Sequence, residues 1–328
     1  MKNKFLHTKL SLVLCLMLVL FSCKNEEKAK TIKLGHGLDV SHPVHKAMVF
    51  MADRVKEKSG GKLLIDIYPN QQLGSERECL ELLQIGSLGM TKVSTGVLEN
   101  FAPELRVFGL PFLFKDREQR FRVLEGEIGQ ELLKASIPKK LKGLTFYDAG
   151  SRSFYTKTEV SNPAGLKGLK LRVMESQSAI DMVKYLGGSP TPIAWGELYT
   201  ALQQGIVDGA ENNLPSFYLS RHYEVCKYFI LDEHTALPDE LLIGTPTWNK
   251  LNDQEKQWLT EAAEESAEYQ KKIWHEAELH ALEEVKKAGV TVREADKEEF
   301  RKLVEPMYES FEENPEMKEI IQQIQSVK

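Results

Sequence analysis

The chain has 328 residues, with 43 Lys plus Arg against 48 Asp plus Glu and a formal net charge of −5. That acidic balance argues against nucleic acid as a partner, and the length suffices for one large or two ordinary domains. Beyond the first two dozen residues no apolar run approaches the roughly 20 residues a membrane-crossing helix needs, so the body reads as soluble.

Lys2, Lys4 and Lys9 precede a nearly unbroken apolar run from Leu10 to Phe21. The run is too short to span a bilayer and reads as an export leader over residues 1–22. It ends in Leu20-Phe21-Ser22-Cys23, which resembles the bacterial lipobox, where the cysteine is lipidated and becomes the first mature residue. An ordinary leader with a chance cysteine is the alternative. Residues 23–30 then form a polar tether. Loss of the leader removes three lysines and no acid, taking the charge from −5 to −8. Cys15 leaves with it. Cys79 and Cys226 remain, so one disulfide is possible but not decided by spacing, and no zinc-type cysteine pair exists.

Short apolar strands alternating with helical patterns are the signature of an α/β fold. Strands are predicted at 31–34, 63–68, 89–93, 144–147, 170–173, 227–231 and 241–245. The first helix starts at Pro43, lines up Val44, Met48, Met51 and Val55 on one face, and stops at Gly60-Gly61. Further helices are expected at 76–86, 117–134, 177–186 and 197–204. Residues 253–288 contain no proline or glycine, with Asn252 placed to cap the start and Gly289 the end. About 36 helical residues would extend roughly 54 Å, longer than one small domain is wide. Two shorter helices with an unmarked bend would also satisfy the pattern. No linker separates two contiguous domains, so two lobes discontinuous in sequence are expected.

The phosphate-binding P-loop, the dinucleotide GxGxxG and the GxSxG nucleophile elbow are all absent. His36, His42 and His45 could be imagined as metal ligands, but a helix start on a loop rim explains them equally, and no metal or cofactor is expected. Glu76, Glu78 and Glu81 could be glycosidase carboxylates, yet acidic residues are favoured in a helix's first turn anyway.

Three segments carry candidate chemistry. In Gly165-Leu-Lys-Gly-Leu-Lys-Leu-Arg-Val173, alternation sends Leu169, Leu171 and Val173 to one face and Lys170 and Arg172 to the other. Arg172 sits near the strand's C-terminal end, where open α/β sheets bind ligands. Arg152 stands in a loop of small residues, 149–153. A helix end and short strand over 205–213 carry the paired amides Asn212 and Asn213. Read alone, the arginines fit solvated surface charges and the asparagines fit turn formers.

The tract 165–173, with Ala201-Leu-Gln-Gln-Gly-Ile-Val-Asp-Gly-Ala-Glu-Asn212, resembles the dicarboxylate-binding-type solute receptors of tripartite ATP-independent periplasmic (TRAP) transporters. Gln72-Leu-Gly-Ser-Glu-Arg-Glu78, Ser94-Thr-Gly96 and Leu110-Pro-Phe-Leu-Phe114 extend the likeness over nearly everything after Lys30. The resemblance implies a two-lobed periplasmic-binding-protein fold with hinge strands and a long helix spanning both lobes. Lobe one would hold 31–149 and about 238–277, lobe two 150–237 and about 278–328. It also implies a binding protein rather than an enzyme, located in the periplasm and working with the small and large TRAP membrane subunits. Arg172 would form the main salt bridge to a ligand carboxylate, assisted by Arg152 and Asn212.

The stretch 211–217, together with His36 and Glu76, is similar to the subset that binds hexuronates. This favours D-glucuronate or D-galacturonate, with Ser94, Trp195 and Phe217 as further lining residues. Sialic acid or a C4-dicarboxylate is the alternative ligand. A lipid-anchored carbohydrate-active enzyme using Glu211, or a non-binding structural lipoprotein, is the alternative function.

Overall fold

The computed structural model describes residues 29–328; the expected leader, the expected lipidation at Cys23 and the expected tether up to residue 28 lie outside the described residues. In chain order the strands are β1 Lys30–Gly35, β2 Leu63–Tyr68, β3 Met90–Ser94, β4 Leu141–Tyr147, β5 Arg152–Thr156, β6 Lys170–Val173, β7 Ser189–Pro192, β8 Gly209–Asn212, β9 Tyr228–Thr235, β10 Asp239–Gly244 and β11 Thr291–Glu294. The helices are α1 Pro43–Lys58, α2 Glu76–Ile85, α3 Thr95–Leu98, α4 Arg117–Glu125, α5 Glu127–Leu132, α6 Gln177–Tyr185, α7 Leu198–Gln203, α8 Leu214–Leu219, α9 Thr245–Trp248, α10 Asp253–Lys287, α11 Lys297–Glu312 and α12 Pro315–Ser326.

The strands form two sheets, ordered β2-β1-β3-β10-β4 and β11-β9-β5-β8-β6-β7. In the first, β1 runs parallel to β2 and β3, while β10 is antiparallel to both β3 and β4. The chain passes between sheets through 148–151, again through 236–238, and a third time along α10. At the first crossing Gly150 has φ +62°, and a Cβ there would lie 2.4 Å from Glu278 Oε1. Only glycine adopts that backbone region without penalty.

Local chemistry accounts for the element ends. Ser75 and Glu78 form a capping box at the start of α2, and Gly86 ends it with φ 75°. Asn252 and Glu255 do the same for α10, a single helix of 35 residues. Its Leu259, Ala262, Ala263 and Trp274 pack into the core of α1 and the first sheet. Val285, near its other end, packs with Tyr155, Phe217 and Phe229 of the second. One helix therefore contributes to both cores.

Some expectations are corrected. The helix expected over 117–134 is two, broken at Gly126, whose backbone is extended and where a Cβ would sit 2.6 Å from Arg122 O. Arg152 opens strand β5 rather than sitting in a loop. Cys79 and Cys226 are both buried free thiols, each pushed up by burial, to about 11 and about 12. At the C-terminus, β11 pairs with β9 and α11 packs on α6 and β9, but α12 returns to pack on α5 and residues 103–109. Gln119 Nε2 ties that last helix down by donating to Val327 O at 2.8 Å.

Candidate ligand-binding site

Arg172 lies in β6, with Leu171 and Val173 directed into the core by strand alternation. The residue is 2% exposed. Nε donates to Ile193 O at 2.8 Å, and the Cζ atom stands 5.8 Å from the Trp195 ring centroid. Nη1 is buried without a hydrogen-bond partner, and no carboxylate among the described residues pairs with this arginine. Burial pulls its pKa below the usual arginine value, as expected of a cation lacking a counter-charge.

Arg152 is the opposite case. Nε donates to Glu211 Oε2 at 2.5 Å, Nη2 to Glu211 Oε1 and O at 2.9 Å, and Nη1 to Asn212 Oδ1 at 2.8 Å. Glu211 is also 3.5 Å from His234 Nε2, and His234 Nδ1 donates to Asp232 Oδ2 at 2.7 Å. Burial opposes ionisation of Arg152, Glu211 and His234, but the opposite charges prevail. The Glu211 carboxyl falls to about 2 beside Arg152 and His234, and the His234 imidazole rises to about 9 beside Asp232 and Glu211. Asn212 Oδ1 accepts from Arg152 and from Asn213 N, which leaves its amide hydrogens for the cleft.

On the first-sheet side, Lys92 of β3 is 2% exposed and lies between Glu76 Oε1 at 3.0 Å and Asp239 Oδ2 at 3.1 Å. Burial alone would depress the ammonium, but the two carboxylates raise it. Glu76 Oε2 accepts from Ser94 N at 3.3 Å, and Ser94 Oγ caps α3.

Arg172, Arg152, Asn212, Lys92, Glu76, Asp239 and Ser94 face one cleft between the sheets, with about 720 Å³ of empty space including its open mouth. Of the residues singled out in the sequence, Arg172, Arg152, Asn212, Glu76, Ser94 and Trp195 line it. Two do not. Phe217 is fully buried, its ring 4.6 Å from Tyr155 and 5.1 Å from Phe229, because the apolar face of the short helix α8 turns into the second core. His36 lies behind the wall. Leu38 N donates to its Nδ1, so the proton sits on Nε2 and is donated to His45 Nδ1 at 3.0 Å.

Sequence reasoning missed Lys92 and Asp239, read His42 only as a helix start or metal ligand, and gave Ser216 of the 211–217 stretch no role; all four line the cleft as well. His42 Nδ1 accepts from Val44 N, capping α1, and its Nε2–H donates to Ser216 Oγ at 3.3 Å across the cleft. A second bridge runs from Glu99, which accepts from Ser176 Oγ and from Ser178 N and Oγ at the start of α6.

Two sheets closing on a cleft with one uncompensated cation define a solute receptor. The profile of the bacterial extracellular solute-binding proteins, family 7, matches residues 34–314. The chain belongs to this family, whose members are DctP-type solute receptors of TRAP transporters acting outside the cytoplasm. It is similar to a TRAP periplasmic solute-binding protein of Xanthobacter autotrophicus with bound β-D-galacturonate: 37% identity, TM-score 0.89, covering 90% of this chain and 100% of that one. A Chromohalobacter salexigens counterpart with bound D-glucuronate gives 34%, 0.88, 90% and 100%. The sialic acid-binding periplasmic protein SiaP of Vibrio cholerae is 29% identical, over 91% of this chain and 93% of its own.

Proposed function

We propose that this receptor captures a hexuronate, D-galacturonate or D-glucuronate, by setting the sugar carboxylate on Arg172 and closing two lobes over it. The observation that carries the reading is the buried Arg172 guanidinium lining the cleft with Nη1 unpartnered, while the other two cations of the lining, Arg152 and Lys92, are each held by carboxylates. A planar guanidinium receives a carboxylate through two parallel charge-assisted bonds, and exclusion of water strengthens both. Asn212, oriented by Arg152, donates to the same end of the ligand. Trp195 offers an apolar surface to the ring, and Ser94, Glu76 and Lys92 meet hydroxyls. The hexuronates bound by the Xanthobacter and Chromohalobacter proteins support this choice.

The lobes comprise 31–149 with about 238–277, and 150–237 with about 278–328, except that α12 packs on the first. Closure is favoured because only the closed cleft presents both walls to the ligand at once. No hydrolytic role is assigned to Glu211. Its carboxylate does not line the cleft and both its oxygens accept from Arg152, so it is placed neither to give a proton to a bound sugar nor to take one from water there. The leader and Cys23 would place the mature receptor in the periplasm as a lipoprotein, delivering solute to the TRAP membrane subunits. Calorimetric titration of residues 24–328 with D-galacturonate, D-glucuronate, sialic acid and succinate tests the ligand. Saturable binding of a hexuronate in preference to the other two is expected, and preference for succinate or sialic acid would replace the reading.

A further inference from the structure

The two walls of the cleft differ in sign. The second-sheet wall carries the uncompensated Arg172. On the first-sheet wall Lys92 is flanked by two carboxylates, so one negative charge is left over. Register explains how this arises. Asp239 is paired with Ser94 and Leu241 with Lys92, so Asp239 reaches Lys92 on the diagonal of one sheet face. Glu76 approaches from the first turn of α2. Glu175, half-buried and three residues beyond Arg172, lines the cleft from the second-sheet side and is no part of this trio. The imidazoles nearest this wall contribute no cation: burial and the Lys92 charge hold His36 down to about 3 and His42 well below its ordinary value. Burial, with the neighbouring Glu76 charge, pushes the Asp239 carboxyl up against the pull of Lys92. That is the behaviour of two carboxylates sharing one ammonium.

We infer that Glu76, Lys92 and Asp239 form a charge filter that admits a sugar acid with hydroxyls at its far end and rejects the corresponding diacid. The inference rests on the hexuronate reading and adds the reason for its selectivity. A hydroxyl can donate to the surplus carboxylate and accept from Lys92, satisfying both kinds of group. A second ligand carboxylate can only accept. It meets an ammonium already engaged at 3.0 and 3.1 Å and two carboxylates of its own sign. Lys92 is therefore a poor receptor for a diacid in spite of its charge.

The test compares D-galacturonate with galactarate, the diacid of the same carbon chain, on the wild-type receptor and on Glu76→Gln and Asp239→Asn. Each variant removes one negative charge and leaves Lys92 a partner. The wild type should prefer the monoacid by at least about tenfold, and either folded variant should shrink that ratio by about tenfold or more. A merely structural role for the trio would weaken both ligands alike and leave the ratio unmoved. Galactarate bound by the wild type as tightly as galacturonate overturns the filter even if neither variant folds. So does an unchanged ratio in a folded variant. A wild type that binds neither sugar acid overturns the hexuronate reading instead.

Discussion

Arg152 and Arg172 are of one residue type, both on the second sheet and both nearly inaccessible, yet their surroundings are opposite. Arg152 makes four hydrogen bonds to Glu211 and Asn212 and raises no demand on a ligand beyond one remaining N–H. Arg172 has one bond to a carbonyl and an unpartnered Nη1. A buried cation without a counter-ion destabilises the empty protein, and that cost is recovered when an anion arrives. The pairing, not the residue type, separates the structural arginine from the one proposed to bind the ligand.

Substitutions should divide along that line. Arg152→Met leaves Glu211 buried with only His234 beside it. Breaking one side of a buried pair costs about 3–5 kcal/mol, so chemical denaturation should show this as the largest stability loss of the set. Arg172→Lys should leave the unfolding midpoint of the empty protein close to wild type. Calorimetry should instead record about 1.5–3 kcal/mol less binding free energy, the worth of a hydrogen bond to a charged group. If the two variants exchange these phenotypes, the assignment of roles is reversed.

The hinge crossing gives a smaller effect. Gly150→Ala forces a side chain into a left-handed backbone and against Glu278, costing about 1–2 kcal/mol of stability from the conformation alone. Denaturant titration reads this directly, and an unchanged midpoint would show that the crossing relaxes freely. The same chain of charges also carries a pH effect. His234 rises from an ordinary 6.5 to about 9 in the folded chain, so its contribution is complete below pH 6.5 and lost as pH rises through about 9. Glu211, lowered from 4.5 to about 2, contributes above pH 4.5 and loses that contribution as pH falls through about 2. Melting temperature should therefore decline from pH 6.5 to 9 in the wild type and less so in His234→Gln. Parallel profiles would remove His234 from the charge chain.

Much of this was legible because local rules and tertiary packing agree. The capping residues and glycines around α1, α2 and α10 marked their ends, and alternation around Arg172 gave its direction. The edge strands β7 and β11 were not legible. Each pairs on one side only and is largely exposed, so neither carries an apolar pattern. In the site, Arg172 could be named from its strand position, but Lys92 reads as one polar residue inside a short strand. Its significance comes from Asp239, far along the chain, and only the antiparallel pairing of β3 with β10 brings the two together. Phe217 misled for a related reason. An aromatic residue just after Asn212 and Asn213 looks like a lining residue until the helix following them turns its apolar face inward.

A crystal structure with D-galacturonate bound tests the central claim most directly. The account predicts the sugar carboxylate within hydrogen-bond distance of Arg172 Nη1, with Arg152 still held by Glu211. A ligand whose carboxylate lies on Lys92, with Nη1 of Arg172 still unpartnered, would contradict it.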